Sequence, residues 1–243
     1  MAGNKKSGPH SREDAIAVVA AMKFWSRLSE AQAAVEIPFI RQAKTPAPSV
    51  QLLMNLPPAR HDDSQVYSLK ISLKGARPEI WRRVQTRSIS LESLHKIIQV
   101  VMGWQDAHLH GFEVQSTRIP LKEEGAGIDE AGVEISQFYS AGYNAFQYTY
   151  DFEDNWIHDI VIEGCSQASG EVTLPSCISG EGASPHEDTG GIHVWLSLQA
   201  ALKGASKIRS EAKALLKARL GHTNISRELK IEDINHRLRT EFH

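Results

Sequence analysis

An α+β fold, a mixed sheet covered by helices, is what this chain predicts, and three patterns predict it. Tyr67, Leu69, Ile71 and Leu73 alternate with Ser68, Lys70, Ser72 and Lys74, the period of a half-buried strand. Phe146, Tyr148, Tyr150 and Phe152 alternate ahead of a turn at Glu153-Asp154-Asn155, and Trp156, His158, Ile160 and Ile162 alternate after it, which spells an aromatic hairpin. Leu91, Leu94, Ile97, Ile98 and Val101 recur at three and four instead, the period of a helix with one apolar face.

Taken in order, residues 1–10 are small, polar or basic, and disorder is expected there. Ser11 with Asp14 forms a start like a capping box, and Ile16, Val19, Met22, Trp25 and Leu28 follow at helical spacing. Pro38 ends that helix, because the residue before a proline is pushed out of the α region. Pro46, Pro48, Pro57 and Pro58 mark a linker, so the chain divides into a tail and helix over 1–40, a linker over 41–65 and a main domain over 66–240. Leu52, Leu53 and Leu56 form an apolar patch in the linker, expected to pack on its own chain rather than dock a partner.

The main domain opens with a strand and a turn at Gly75-Ala76-Arg77-Pro78, followed by a second strand over about 80–88. Ser90 is placed to cap the next helix and Gly103 to end it, and strand character resumes over 109–114, which gives a β-β-α-β start. Residues 122–132 read as a loop. So do 175–191, with four glycines, two prolines and the run Pro185-His186-Glu187-Asp188. Two helical faces close the chain: Ile208, Ala212, Leu215, Leu216 and Leu220, ended by Gly221, and then Ile231, Ile234 and Leu238.

Bulk properties narrow the class. Hydrophobic residues make up 41% and charged residues 23% of the 243, ordinary globular usage that implies a packed core. The longest apolar run near the start, Ala15 to Met22, is far short of the roughly 20 residues a membrane span needs, so neither a span nor a signal peptide is expected. Cys165 and Cys177 are too few for a disulfide framework, and a reducing cytoplasm fits best. The net charge of −2 conceals a strong asymmetry: +2 over 1–65, +4 over 66–110, −13 over 111–200 and +5 over 201–243. A general nucleic-acid binder would want a dominant basic surface, and the acidic middle segment disfavours that partner.

Several segments together resemble a known family. They are Tyr67-Ser-Leu-Lys-Ile-Ser-Leu-Lys-Gly75, Pro78-Glu-Ile-Trp-Arg-Arg83, Leu94-His95 to Gly103-Trp104, and His108-Leu-His110-Gly-Phe112. Tyr150-Asp-Phe-Glu-Asp-Asn-Trp156 with His158, and Glu187-Asp188-Thr-Gly-Gly191, continue the match in the same order. On these the chain is similar to the plasmid pRiA4b ORF-3-like family over about residues 66–240. The resemblance implies a bacterial domain found on plasmids, as a passenger of insertion elements and on chromosomes, with no established activity to carry over. Relatives often place a glycine where this chain has Glu153, which implies a turn of a different type here. They also tend to carry a second cysteine in the loop after Cys177, where this chain has Ser184, so a metal site built on that pair would be weakened.

The candidate chemistry centres on histidines and acids. His108 and His110, two apart on an extended strand, point to one face, and His158 lies on a hairpin arm near Asp151 and Asp154. With Glu187 and Asp188 from the long loop these would form an imidazole and carboxylate cluster for a divalent metal with a position open to water. The plainer reading is that the histidines hydrogen-bond to carboxylates and order the loop. Metal-free acid/base chemistry would pair Asp154 or Glu187 with His108. Arg77, Arg82, Arg83 and Arg87 surround Trp81, and Arg82 and Arg83 are candidate phosphate contacts; the alternative is pairing with the acidic segment, which the charge distribution favours. No phosphate loop, nucleophile elbow or Cys-x-x-Cys pair occurs, and neither cysteine has the basic neighbours of a reactive thiolate. The leading expectation is a binding or interaction module of unidentified ligand. A metal-dependent hydrolase and a nucleic-acid accessory protein are the competing readings.

Overall fold

Alternation along the first strand does what the pattern requires. In the computed structural model β1 (Gln65–Leu73) buries Tyr67, Leu69, Ile71 and Leu73 and leaves Ser68, Lys70 and Ser72 half-buried. The structure describes residues 52–242 apart from 54, 61, 120–129, 170–172 and 229, so the expected N-terminal tail, helix and first part of the linker lie outside the described residues. Leu53 is buried, and the linker beyond it is tied down where Gln137 Nε2 donates to the Pro57 carbonyl at 2.9 Å.

β2 (Trp81–Thr86) pairs with β1, and Ser90 then caps α1 (Leu91–Met102), its hydroxyl accepting from the Ser93 N–H at 3.2 Å. Gly103 ends that helix in the left-handed region at φ 75°, a conformation glycine adopts without steric cost. β3 (His110–Val114) and β4 (Thr117–Ile119) follow, then a short α2 (Ile135–Ser140) and the aromatic hairpin of β5 (Ala145–Tyr150) and β6 (Trp156–Gln167). Phe152 falls in the turn rather than on the hairpin arm and is exposed, with the Arg118 guanidinium over its ring at 5.4 Å.

The seven strands are ordered β4-β3-β5-β6-β1-β2-β7, with β7 at Ser176–Glu181. Each pairing in this sheet is antiparallel, which corrects the expectation of a mixed sheet. The helix between β2 and β3 carries the chain across the sheet and delivers β3 beside β5. The aromatic residues and the apolar side of α1 build the core, with Tyr148, Tyr150, Trp156, Leu94 and Ile97 all inaccessible.

The stretch 175–191 is not one irregular loop. It contains edge strand β7 and β8 (Ser184–Pro185), and β8 pairs with β9 (Ser226–Arg227). A register shift beside Val84 breaks the alternation of β7, so periodicity does not reveal it. α5 (Ile231–Phe242) covers that edge through Asn235, which donates from Nδ2 to the Cys177 carbonyl at 2.9 Å and accepts from its N–H at 2.7 Å.

Residues Asp188–Ile225 form a compact unit of their own, in which α3 (Gly191–Lys203) and α4 (Ser206–Leu220) pack on each other. Gly221 caps α4 at φ 75° as expected, but Ile208, expected on the apolar face, is exposed.

Candidate histidine and carboxylate site

The segment 104–109, between α1 and β3, is held down residue by residue. Trp104 Nε1 donates to the Pro185 carbonyl at 2.9 Å, and the Gln105 N–H lies 3.1 and 3.3 Å from the two oxygens of the buried Glu187 carboxylate. The Tyr150 hydroxyl accepts from the N–H groups of Ala107 and His108 at 2.8 and 3.3 Å and donates to Glu187 at 2.7 Å. Burial, the largest cause, and the Glu187 carboxylate together raise the phenol above its ordinary range. Glu187 is thus the anchor of a loop.

Of the residues expected to share one metal cluster, the structure assembles only fragments. His108 Nδ1 lies 3.6 Å from Asp151 Oδ2, but the other oxygen of Asp151 accepts from the N–H groups of Glu153 and Asp154 at 3.0 and 3.2 Å and builds the hairpin turn. Asp151 at φ 56° and Asn155 at φ 54° take the left-handed conformations of that turn, so Glu153 needs none. His158 is inaccessible in the sheet, near Tyr148 and Trp104, with Nδ1 donating to the Trp156 carbonyl at 3.2 Å. Asp188 is exposed in the other compact unit, its backbone carbonyl accepting from Arg219 at 2.7 Å. The expected cluster of His108, His110, His158, Asp151, Asp154, Glu187 and Asp188 is not what the geometry favours: strand alternation put donors on the right elements, but two of the four carboxylates, Asp151 and Glu187, hold a turn and a loop.

A different set does converge. Among the described residues, His95 from α1, Asp106 from the loop and His110 from β3 bring one potential ligand atom each within 4.8 Å of one another. His95 Nε2 and Asp106 Oδ1 are 2.9 Å apart, and the His95 and His110 rings stack face to face, centroids 3.6 Å apart at 5°. Asp106 sits at φ 56° and its N–H donates to Gln99 Oε1 at 3.0 Å, which fixes the backbone that presents the carboxylate. His95 Nδ1 is 2.7 Å from the Tyr148 hydroxyl, and His110 Nε2 is 2.9 Å from Glu130 Oε2. The other oxygen of Glu130 is buried with no hydrogen-bond partner among the described residues. Burial first, then the adjacent His110, pulls the His95 imidazole down to about 4 against the opposing pull of Asp106, so the ring is neutral at pH 7.

Sequence reasoning selected His110 and passed over His95, Asp106 and Glu130. His95 falls among the apolar positions of α1 and reads as a core histidine. Asp106 and Glu130 stand in loops, where no periodicity sets direction.

The two arginines are held within the protein, and Arg83 pairs with the acidic segment as the charge distribution favours. Arg82 is buried and its donors are committed to the carbonyls of Val101, Trp81, Glu181 and Gly182 and to Ser184 Oγ, at 2.6 to 3.1 Å. Arg83 pairs through two nitrogens with Glu163 at 2.6 and 2.8 Å and lies 5.1 Å from the Trp81 ring centroid. The Ser184 hydroxyl is likewise taken by Arg82.

Fold and site together define an antiparallel α+β domain with a histidine and carboxylate cluster beside a pinned loop. The family model for the plasmid pRiA4b ORF-3-like protein matches residues 65–227, and the chain belongs to that family. It is 35% identical over 133 residues to the uncharacterized protein y4hQ of Sinorhizobium fredii, covering 53% of this chain and 68% of that one. The crystal structure of MM3350 from Methanosarcina mazei Go1, a protein of unknown function, is similar at a TM-score of 0.60 and 30% identity, covering 70% of this chain and 96% of that one. Among the described residues, no helix is long and apolar enough to cross a membrane.

Proposed function

We propose that this domain is a binding module that holds a divalent transition-metal ion at His95, Asp106 and His110. The convergence of these three donors, from a helix, a loop and a strand, carries the reading. Two imidazoles with one carboxylate suit a borderline cation such as Zn²⁺ or Fe²⁺ better than Mg²⁺ or Ca²⁺, which prefer oxygen cages.

The surroundings support it. Tyr148 engages His95 at Nδ1 and leaves Nε2, the nitrogen beside Asp106, as the ligating atom. Glu130 engages His110 at Nε2, the carboxylate backing that ligating histidines commonly have. A metal ion nearby would also offset the buried, unpartnered oxygen of Glu130. Three protein donors leave coordination positions open for an external ligand. A metal-dependent hydrolase would use the same donors with water at an open position, so metal binding is the step both readings share.

The test is elemental analysis of the untagged protein, followed by Zn²⁺ titration against a competing chromophoric chelator. About one ion per chain is expected. Asp106→Asn, which keeps a residue tolerant of positive φ, and His110→Gln should each weaken binding by more than about tenfold. Binding as tight in both variants as in the parent, or absent in excess Zn²⁺, would reject the reading.

A further inference from the structure

A second feature lies away from the histidines, where the C-terminal end of α1 meets β9 and the start of α5. These elements frame a cavity of about 100 Å³. Four cationic side chains line it, Arg82, Arg227, Lys230 and Arg237, against two acids, Glu228 and Asp233. That leaves an excess of two positive charges at one small cavity.

The cations are not neutralised by the protein. Arg82 is spent on carbonyls and a hydroxyl, which satisfy its donors but leave its charge uncompensated. Arg227 donates from one nitrogen to the Gly103 carbonyl at 2.5 Å. Among the described residues no carboxylate lies within 4.0 Å of the nitrogens of Arg227, Lys230 or Arg237.

The two outer arginines also converge. A Cβ built on Gly103 would lie 3.6 Å from Arg227 Nη1 and 4.0 Å from Arg237 Nη1, so both guanidinium groups stand over a residue with no side chain. Like charges held this close disfavour the empty state and favour an anion between them.

We propose that this cavity is an anion site for a phosphate group, held by Arg227, Arg237 and Lys230. A tetrahedral dianion matches two guanidinium forks and an ammonium. The cavity is well below the roughly 300 Å³ of a cleft for a drug-sized ligand, so it takes a phosphate and not a whole nucleotide. It shares no residue with the metal site, and the two proposals fail or survive separately.

The experiment is isothermal titration of the full chain, treated with chelator, with inorganic phosphate and with glycerol 3-phosphate, each against sodium chloride of equal ionic strength. Saturable binding of at least one phosphate is expected, with Arg237→Gln and Lys230→Gln each weakening it about tenfold or more. Asp106→Asn should bind phosphate as the parent does. Tighter binding of the ester would point to a phosphomonoester ligand, and equal binding to the free anion. No heat beyond the chloride control, or an affinity in both cavity variants as tight as the parent's, would overturn the proposal. Thermal unfolding without phosphate, unchanged in Arg237→Gln, shows that the variant is folded.

Discussion

His158 stands edge-on to Trp104, ring centroids 5.3 Å apart at 76°, and is inaccessible to solvent. Burial, the largest cause, together with the charge of Arg82 pulls its imidazole down to about 3, against the raising effect of its hydrogen bonds to the backbone. Nε2 has no hydrogen-bond partner among the described residues, so protonation would place an unsatisfied cation inside the sheet.

A pH dependence of stability follows. The folded pKa lies below the ordinary value near 6.5, so the unfolded chain binds the proton first as pH falls. The contribution is fully present above about pH 6.5 and is lost on descending toward pH 3. The slope approaches about 1.4 kcal/mol per pH unit within that window. Urea unfolding of metal-free protein between pH 7.5 and 4.5 measures it. His158→Phe should flatten the curve, and a variant as acid-sensitive as the parent would count against this assignment.

The loop that presents Asp106 depends on the Tyr150 hydroxyl, which bonds to the loop and to Glu187, while the Tyr150 backbone lies opposite His110 in the sheet. Tyr150→Phe removes a hydroxyl that accepts from two loop N–H groups and donates to Glu187. We expect a loss of about 2 kcal/mol in unfolding free energy, typical of leaving buried polar groups unpaired. Zn²⁺ affinity should fall as well, because the loop loses its support. Undiminished affinity in a destabilised Tyr150→Phe would show that Asp106 is positioned independently of that anchor.

How much of this was legible in the sequence depended on whether periodicity carried the information. β1, the aromatic hairpin and α1 with its Ser90 and Gly103 caps repeat at two or at three and four, and each stands where its pattern put it. The edge strand at Ser176–Glu181 did not show itself, because a register shift and a glycine interrupt its alternation. Strand direction was also hidden. Which strands become neighbours is a long-range matter, and β1 pairs with β6 across more than eighty residues of chain.

The site was legible only in composition. Histidines and acids were recognisable as the chemistry-bearing residues, but their partners were not. Asp151 and Glu187 are drawn into holding turns, while His95, at a core position of α1, faces His110 from the neighbouring strand. Arg82 was a candidate for phosphate or for the acidic segment, and the period-two alternation of β2 places it on the buried face.

That burial makes Arg82 a structural requirement. Lysine keeps the charge but has three donors against the five in the guanidinium fork, and cannot reach the acceptors spread over β2, α1 and the turn after β7. Arg82→Lys should cost at least about 3 kcal/mol by the loss of several buried hydrogen bonds. Chemical unfolding of the variant gives the number, and a cost under about 1 kcal/mol would mean that water replaces the fork.

The turn after β7 offers a last, purely steric prediction. Gly182 has φ 80°, and a Cβ there would lie 2.7 Å from the Glu79 carbonyl oxygen and 2.8 Å from Ile80 Cγ1. The backbone oxygen cannot withdraw without disturbing the entry to β2, so Gly182→Ala combines a strained φ with a collision. A destabilisation of roughly 2 kcal/mol or more is expected. Gly164 is the matched control, since a Cβ there meets nothing within 4 Å and its φ is not positive. Gly164→Ala should be neutral or slightly stabilising, by up to about 1 kcal/mol, through the lower entropy of the unfolded chain. The comparison is made by thermal unfolding of the two variants side by side. If they move together, backbone entropy in the unfolded state governs both positions and the collision at Gly182 is relieved by a shift of the turn.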